Sequence, residues 1–193
     1  MMESIWSMPL LGTDVYHIAS WFWVYSFLGW LAESIYMSFC NKKITNRGFI
    51  KGPICPIYGF GALTVYFVLR PLEGNYVALY IAGMVLATTV EFIAAKLMIR
   101  YMGGVWWDYT DKPFNYKGIL CLESCLGWGL YTVLMFGILQ KLIVGFVDSY
   151  SYNTGKCIVV LVLVYYVVSF IMSVRRNRKY EGEKRDGIQM FRE

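Results

Sequence analysis

At 193 residues the chain has the length of one soluble domain, yet 58% of it is hydrophobic, 18% aromatic and only 16% charged. That balance excludes an ordinary soluble globule and points to lipid as the solvent. The formal net charge of +5 does not argue for nucleic acid, because the basic residues cluster beside apolar runs instead of along one polar face.

Crossing roughly 30 Å of hydrocarbon takes about 20 helical residues, and five apolar runs meet or approach that length. The sequence therefore predicts an all-α, polytopic membrane helix bundle of about five transmembrane helices. The first ten residues carry no Lys or Arg, so no cleaved signal peptide with a basic start is expected. The first run, about residues 17–39, reads as a retained span. The second, 54–69, is short, and Pro53 and Pro56 predict a helix start that is kinked or partly inside the membrane boundary. The third covers 76–99 and the fourth 118–147. The fifth, 157–174, holds no Lys, Arg, His, Asp or Glu. Residues 1–175 thus form a transmembrane domain, and 176–193 a basic cytoplasmic tail that anchors the last helix and attracts anionic lipid.

Orientation follows from the excess of Lys and Arg on cytoplasmic flanks. With the tail inside, fifteen of the eighteen basic residues lie inside, and only Arg70, Lys141 and Lys156 fall outside. The amino terminus, with Glu3 and Asp14 and no base, is then external. The two halves also share an order of features. Each has an inward-running helix with a Glu before its charged end (Glu33, Glu91), and each follows with an Asn-led loop (Asn46-Arg47-Gly48 and Asn115-Tyr116-Lys117-Gly118). Each closes with a Gly-aromatic-Gly in the returning helix (Gly59-Phe60-Gly61 and Gly127-Trp128-Gly129). This order suggests a parallel repeat of two hairpins followed by a final helix.

Glu33, Glu91 and Glu123 stand out, because a carboxylate within a span costs at least about 3 kcal/mol unless it is paired, protonated or hydrated. All three fall at a similar depth below the cytoplasmic boundary and are expected to share a cytoplasm-facing pocket for a cation, a proton or a small solute. The competing reading is an ion-pair network in which Arg47, Lys51 and Lys117 neutralise the glutamates to fix loops on helices. Asn46, Arg47 and Lys51, with flexible glycines and a helix start, equip the first loop to hold an anion or simply to order the turn. Asp108, after Trp106 and Trp107, reads as a turn cap or the partner of a basic residue beside an interfacial anchor, with Asn115 and Lys117 following. No GxxxxGK[ST] or GxGxxG segment provides a nucleotide site. Cys121 and Cys125 share a helix face, but the single histidine, His17, lies at the other membrane side, so packing is the expected role and no metal is assigned.

The stretches FWVYSFLGWLAES (Phe22 to Ser34), NRGF (Asn46 to Phe49), GPICPIYGFG (Gly52 to Gly61), WWDY (Trp106 to Tyr109) and NYKG (Asn115 to Gly118) resemble, in order and spacing, a bacterial membrane family of CmpB-like type IV ABC-transporter permeases. The resemblance runs from about residue 21 to 145. It implies a bacterial plasma membrane and transport. Because the chain has no ATPase motif and few spans, it also implies a separate ATPase subunit and a homo-oligomer that encloses a path. The favoured reading is a small transporter or channel-like permease subunit in a lipid bilayer, with no cofactor, no nucleic acid and no enzymatic activity. Its rivals are a membrane enzyme acting on lipid-linked or phosphorylated material, with Arg47 holding the anion, and a non-catalytic scaffold or regulator.

Overall fold

The computed structural model describes residues 5–46, 50, 52–105 and 107–190. Arg47 and Lys51, two of the residues expected at the site, lie outside the described residues. Five helices make the fold: a first at Val15–Asn41, a second at Pro56–Leu69, a third at Tyr76–Met102, a fourth at Leu122–Asp148 and a fifth at Tyr152–Met190. Three segments, Tyr76–Tyr101, Leu122–Asp148 and Tyr152–Arg175, are long and apolar enough to cross a membrane. The architecture is the all-α membrane bundle that the hydropathy predicts. At 27 residues the first helix is about 40 Å long, long enough to cross, but it is rich in Trp, Tyr and Ser, which lowers its hydropathy. The fifth continues as helix well past the end of the expected span.

The second helix is the unusual one. Its 14 residues rise only about 21 Å, and its start lies deep in the bundle. The Cys55 N–H donates to the carbonyl of Ser26, near the middle of the first helix, at 3.1 Å. Ile50, Ile54 and Cys55 are buried. A non-helical approach therefore reaches mid-bundle before helical geometry begins at Pro56, where the missing N–H costs nothing. Backbone at such depth requires protein partners, and the Ser26 carbonyl is one.

Glycines set the closest approaches. A Cβ on Gly59 would fall 2.6 Å from the Phe22 carbonyl, and one on Gly129 2.9 Å from the Tyr80 carbonyl. The first and second helices thus pack backbone to backbone, and so do the third and fourth. At Gly83 a Cβ would meet Thr132 of the fourth helix.

At the end where the first helix begins, Pro9–Leu10 pairs antiparallel with Thr13–Asp14. The turn between them holds Leu11 and Gly12 at φ 52° and 79°, the left-handed pair that a two-residue hairpin needs. Asp14 caps the first helix through the His17 N–H at 2.9 Å. The His17 ring lies between Asp14 (2.8 Å) and Asp148 at the end of the fourth helix (3.1 Å). The packed core fills this half of the bundle. Trp21 is buried there beside Tyr66. A π-helical turn at Met135–Leu139 precedes Gln140, whose side-chain oxygen accepts the buried Tyr25 hydroxyl at 2.7 Å. Such turns insert one extra residue and re-aim the side chains that follow.

Candidate functional site

In the other half the bundle is hollow. A cavity of about 110 Å³ lies among the first four helices, lined by Glu33, Tyr58, Glu91, Trp107, Tyr109 and Trp128, with Ala62 and Val65 of the second helix among its apolar walls. Tyr131 of the fourth helix adds another ring.

Each carboxylate is held by aromatic donors. Tyr58, on the first turn of the second helix, donates its hydroxyl to Glu33 Oε2 at 2.7 Å. Glu91, on the third helix and only 9% exposed, accepts from both sides: Trp128 Nε1 reaches Oε2 at 2.9 Å, and the Tyr109 hydroxyl reaches Oε1 at 3.2 Å. The two hairpins therefore solve the same problem in the same way. In each, a ring at or beside the Gly-aromatic-Gly of the returning helix satisfies the glutamate of the preceding one. Tyr109 is close enough to feel both carboxylates, and burial, then Glu91, pushes its phenol well above the usual tyrosine range. Among the described residues no Lys, Arg or His comes within salt-bridge distance of Glu91.

Loop 103–121 brings Trp107 and Tyr109 to the cavity through a dense set of local bonds. Gly103, at φ 78°, ends the third helix. Trp107 Nε1 donates to the Ile119 carbonyl at 2.9 Å, and the Tyr109 N–H to the Gly118 carbonyl at 2.9 Å. Asn115 donates to the Thr110 and Lys112 carbonyls and accepts the Gly118 N–H. Asp108 accepts the hydroxyl and the N–H of Thr110, which hold its carboxyl below the usual aspartate range. Asp108 is thus the turn cap that its position suggested. Gly118 takes φ 69° with Thr110 and Asp108 against it, so a side chain there would be strained and crowded.

The sequence-predicted residues separate accordingly. Glu33 and Glu91 line the cavity, whereas Glu123 does not. The fourth helix begins at Leu122, four residues later than expected, so Glu123 sits in its first turn, 64% exposed and 2.8 Å from Lys112. That hydrogen bond raises the Lys112 ammonium above its ordinary range. Asn46 accepts the Trp30 indole N–H at 2.7 Å. Asp108 and Asn115 shape the loop without lining the cavity, and Lys117 lies 5.5 Å over the Tyr116 ring. Cys121 caps the fourth helix: its sulfur accepts the Ser124 N–H, and the Ser124 hydroxyl accepts the Cys121 N–H. Among the described residues no group of three His, Cys, Asp or Glu is placed to hold a metal ion. Tyr58, Tyr109 and Trp128 were not singled out for the site from the sequence. Their signal was available in the need of a buried carboxylate for donors.

No curated protein and no solved structure matches the chain. The family model described as "Putative ABC-transporter type IV" matches residues 20–174, which include both carboxylates, all their aromatic donors and most of the bundle. With four-fifths of its length matched, and with apolar helices that support a membrane, transporter-like role, the chain belongs to that family.

Proposed function

We propose that the chain is a small permease subunit whose binding site is the cavity between Glu33 and Glu91, facing the cytoplasm of a bacterial plasma membrane, with the carboxy terminus inside. One observation carries the reading: carboxylates from two helices line one hollow and are oriented by neutral ring donors. A structural ion pair requires a cation against each carboxylate, whereas Glu91 has none among the described residues. A carboxylate held in place and lacking a fixed counter-charge is equipped to exchange a mobile one, whether a proton or a cation. The half-length second helix, entered through non-helical backbone at mid-bundle, resembles the broken helices around which transporters build their sites. One such bundle is too small to enclose a path alone, so a second copy completes the conduit, and a separate ATPase subunit docks at the loop end.

The test is cation and proton uptake into proteoliposomes. Glu33→Gln and Glu91→Gln are expected to cut uptake about tenfold or more while leaving helix content and size-exclusion behaviour unchanged. Glu123→Gln is expected to stay within about twofold, because that residue is a solvated partner of Lys112. Equal uptake in wild type and both cavity variants would remove the reading.

A further inference from the structure

Cys55, Ile57, Val90 and Ala94 line both the acidic cavity and a second hollow of about 440 Å³. That hollow runs as a groove between the second and third helices, past Phe60, Ile93, Leu97 and Met98, as far as Tyr166 of the fifth. Among the described residues, none that lines it carries a charge. Phe60, Ile93 and Leu97 are each more than half exposed, so the groove meets the surrounding lipid along one side.

Two features restrict what the joined space accepts. Tyr58, Tyr109 and Trp128 spend their polar hydrogens on the carboxyl groups, so an entering group meets mainly ring carbon and methyl groups around Glu33 and Glu91. An inorganic cation stripped of water needs a shell of oxygens, and these walls are mainly carbon. An alkylated ammonium has little hydration to lose and is attracted by ring faces. It also brings the counter-charge that Glu91 lacks among the described residues.

From this continuity we infer that the site takes an amphipathic organic cation, with an alkylammonium head beside Glu91 and an apolar chain in the groove. The inference rests on the cavity being the binding site, as proposed above. It also specifies an entry route, since a ligand of this kind partitions into the bilayer first and reaches the groove sideways.

The experiment uses the full chain in lipid nanodiscs, with tritiated tetramethylammonium and octyltrimethylammonium as probes and octanol as the neutral competitor. Partition into lipid raises the apparent affinity of the octyl probe for every variant alike, so the readout is the ratio of wild type to variant for each probe. Glu91→Gln is expected to weaken both probes about tenfold or more. Leu97→Trp, which fills the groove away from the cavity, is expected to weaken the octyl probe about fivefold while tetramethylammonium stays within about twofold. Octanol is expected not to compete. If Glu91→Gln does not fold, Ala87→Leu fills the cavity while keeping both carboxyl groups and is expected to weaken both probes. Equal loss of the two probes in Leu97→Trp, or none, would overturn the chain-in-groove assignment and leave the transport reading standing. So would uptake of inorganic cations that depends on Glu91 alongside ammonium binding that does not. Loss of every cation response would take both proposals down together.

Discussion

Gly59→Ala and Gly61→Ala place the same methyl group two residues apart on one helix, and the structure separates their effects. At position 59 the new Cβ falls 2.4 Å from Ser26 Oγ and 2.6 Å from the Phe22 carbonyl oxygen, where ordinary contact begins at 3.4 Å. The carbonyl belongs to helical backbone and cannot rotate away, so the first and second helices must part by about 0.8–1 Å, a gap that forfeits a quarter to a half of each affected contact. Overpacking of this kind costs about 1–3 kcal/mol, and the better helix propensity of Ala returns about 1 kcal/mol. Gly59→Ala is therefore expected to lose up to about 2 kcal/mol net. At position 61 a Cβ meets nothing within 4 Å, so only the propensity gain of up to about 1 kcal/mol applies. The propensity gain is common to both, so the two variants should differ by about 1–3 kcal/mol, or roughly 2–12 °C in thermal midpoint for a chain of this size. Melts followed by circular dichroism in one detergent would read the difference. Equal midpoints, or a less stable Gly61→Ala, would refute the packing argument. The same contrast, smaller, is expected between Gly129→Ala, 2.9 Å from the Tyr80 carbonyl, and Gly127→Ala in open space.

Trp128→Phe removes the indole donor from the buried Glu91 carboxylate and is expected to cost about 2 kcal/mol, a fall of roughly 4–8 °C in the same melts. Lys112→Ala breaks an exposed pair and is expected to move the midpoint by no more than about 2 °C. The Tyr109 phenol is favoured neutral in the fold, so its contribution is complete below the free tyrosine value of about 10 and is lost as pH rises through its higher folded value. Midpoints measured across the alkaline range should accordingly fall less steeply for Tyr109→Phe than for wild type. Asp108 has the opposite sign: its contribution is complete above the free aspartate value of about 4 and disappears as pH falls through its lower folded value. Asp108→Asn should therefore flatten the acid limb.

What could be read from the residues divides along physical lines. Apolar runs located the helices because hydrocarbon imposes length and hydropathy on any span. Pro53 and Pro56 announced the irregular entry to the second helix because proline constrains backbone locally. The π-helical turn at Met135–Leu139 has no comparable local signature, and the Leu11-Gly12 hairpin turn was overlooked in a segment without strand-length alternation. Glu33 and Glu91 were found through the energetic burden of a carboxylate in lipid. Glu123 was grouped with them because the fourth span was started at Gly118. The chain instead spends residues 118–121 completing the loop around Asp108 and Asn115, and helix geometry begins only after the Cys121 cap. A shift of four residues, about 6 Å along a helix, carries a side chain from the expected interior of a span to an exposed first turn.

The aromatic donors explain why the site is more specific than a count of charges suggests. If a lysine neutralised Glu91, the hollow would present a fixed ion pair there and little affinity for anything mobile. Neutral rings instead orient both carboxylates through Tyr58, Tyr109 and Trp128, and Glu91 has no cation beside it among the described residues. On the proposed reading, Glu91 gives the cavity an electrostatic preference for cations while its surface stays mainly apolar. The loop bonds around Asp108, Asn115 and Gly118 acquire a functional meaning from this, since they fix where Trp107 and Tyr109 stand. Residues that never touch the hollow therefore set its donors, and a loop variant such as Asn115→Ala is expected to weaken cation binding with both glutamates intact.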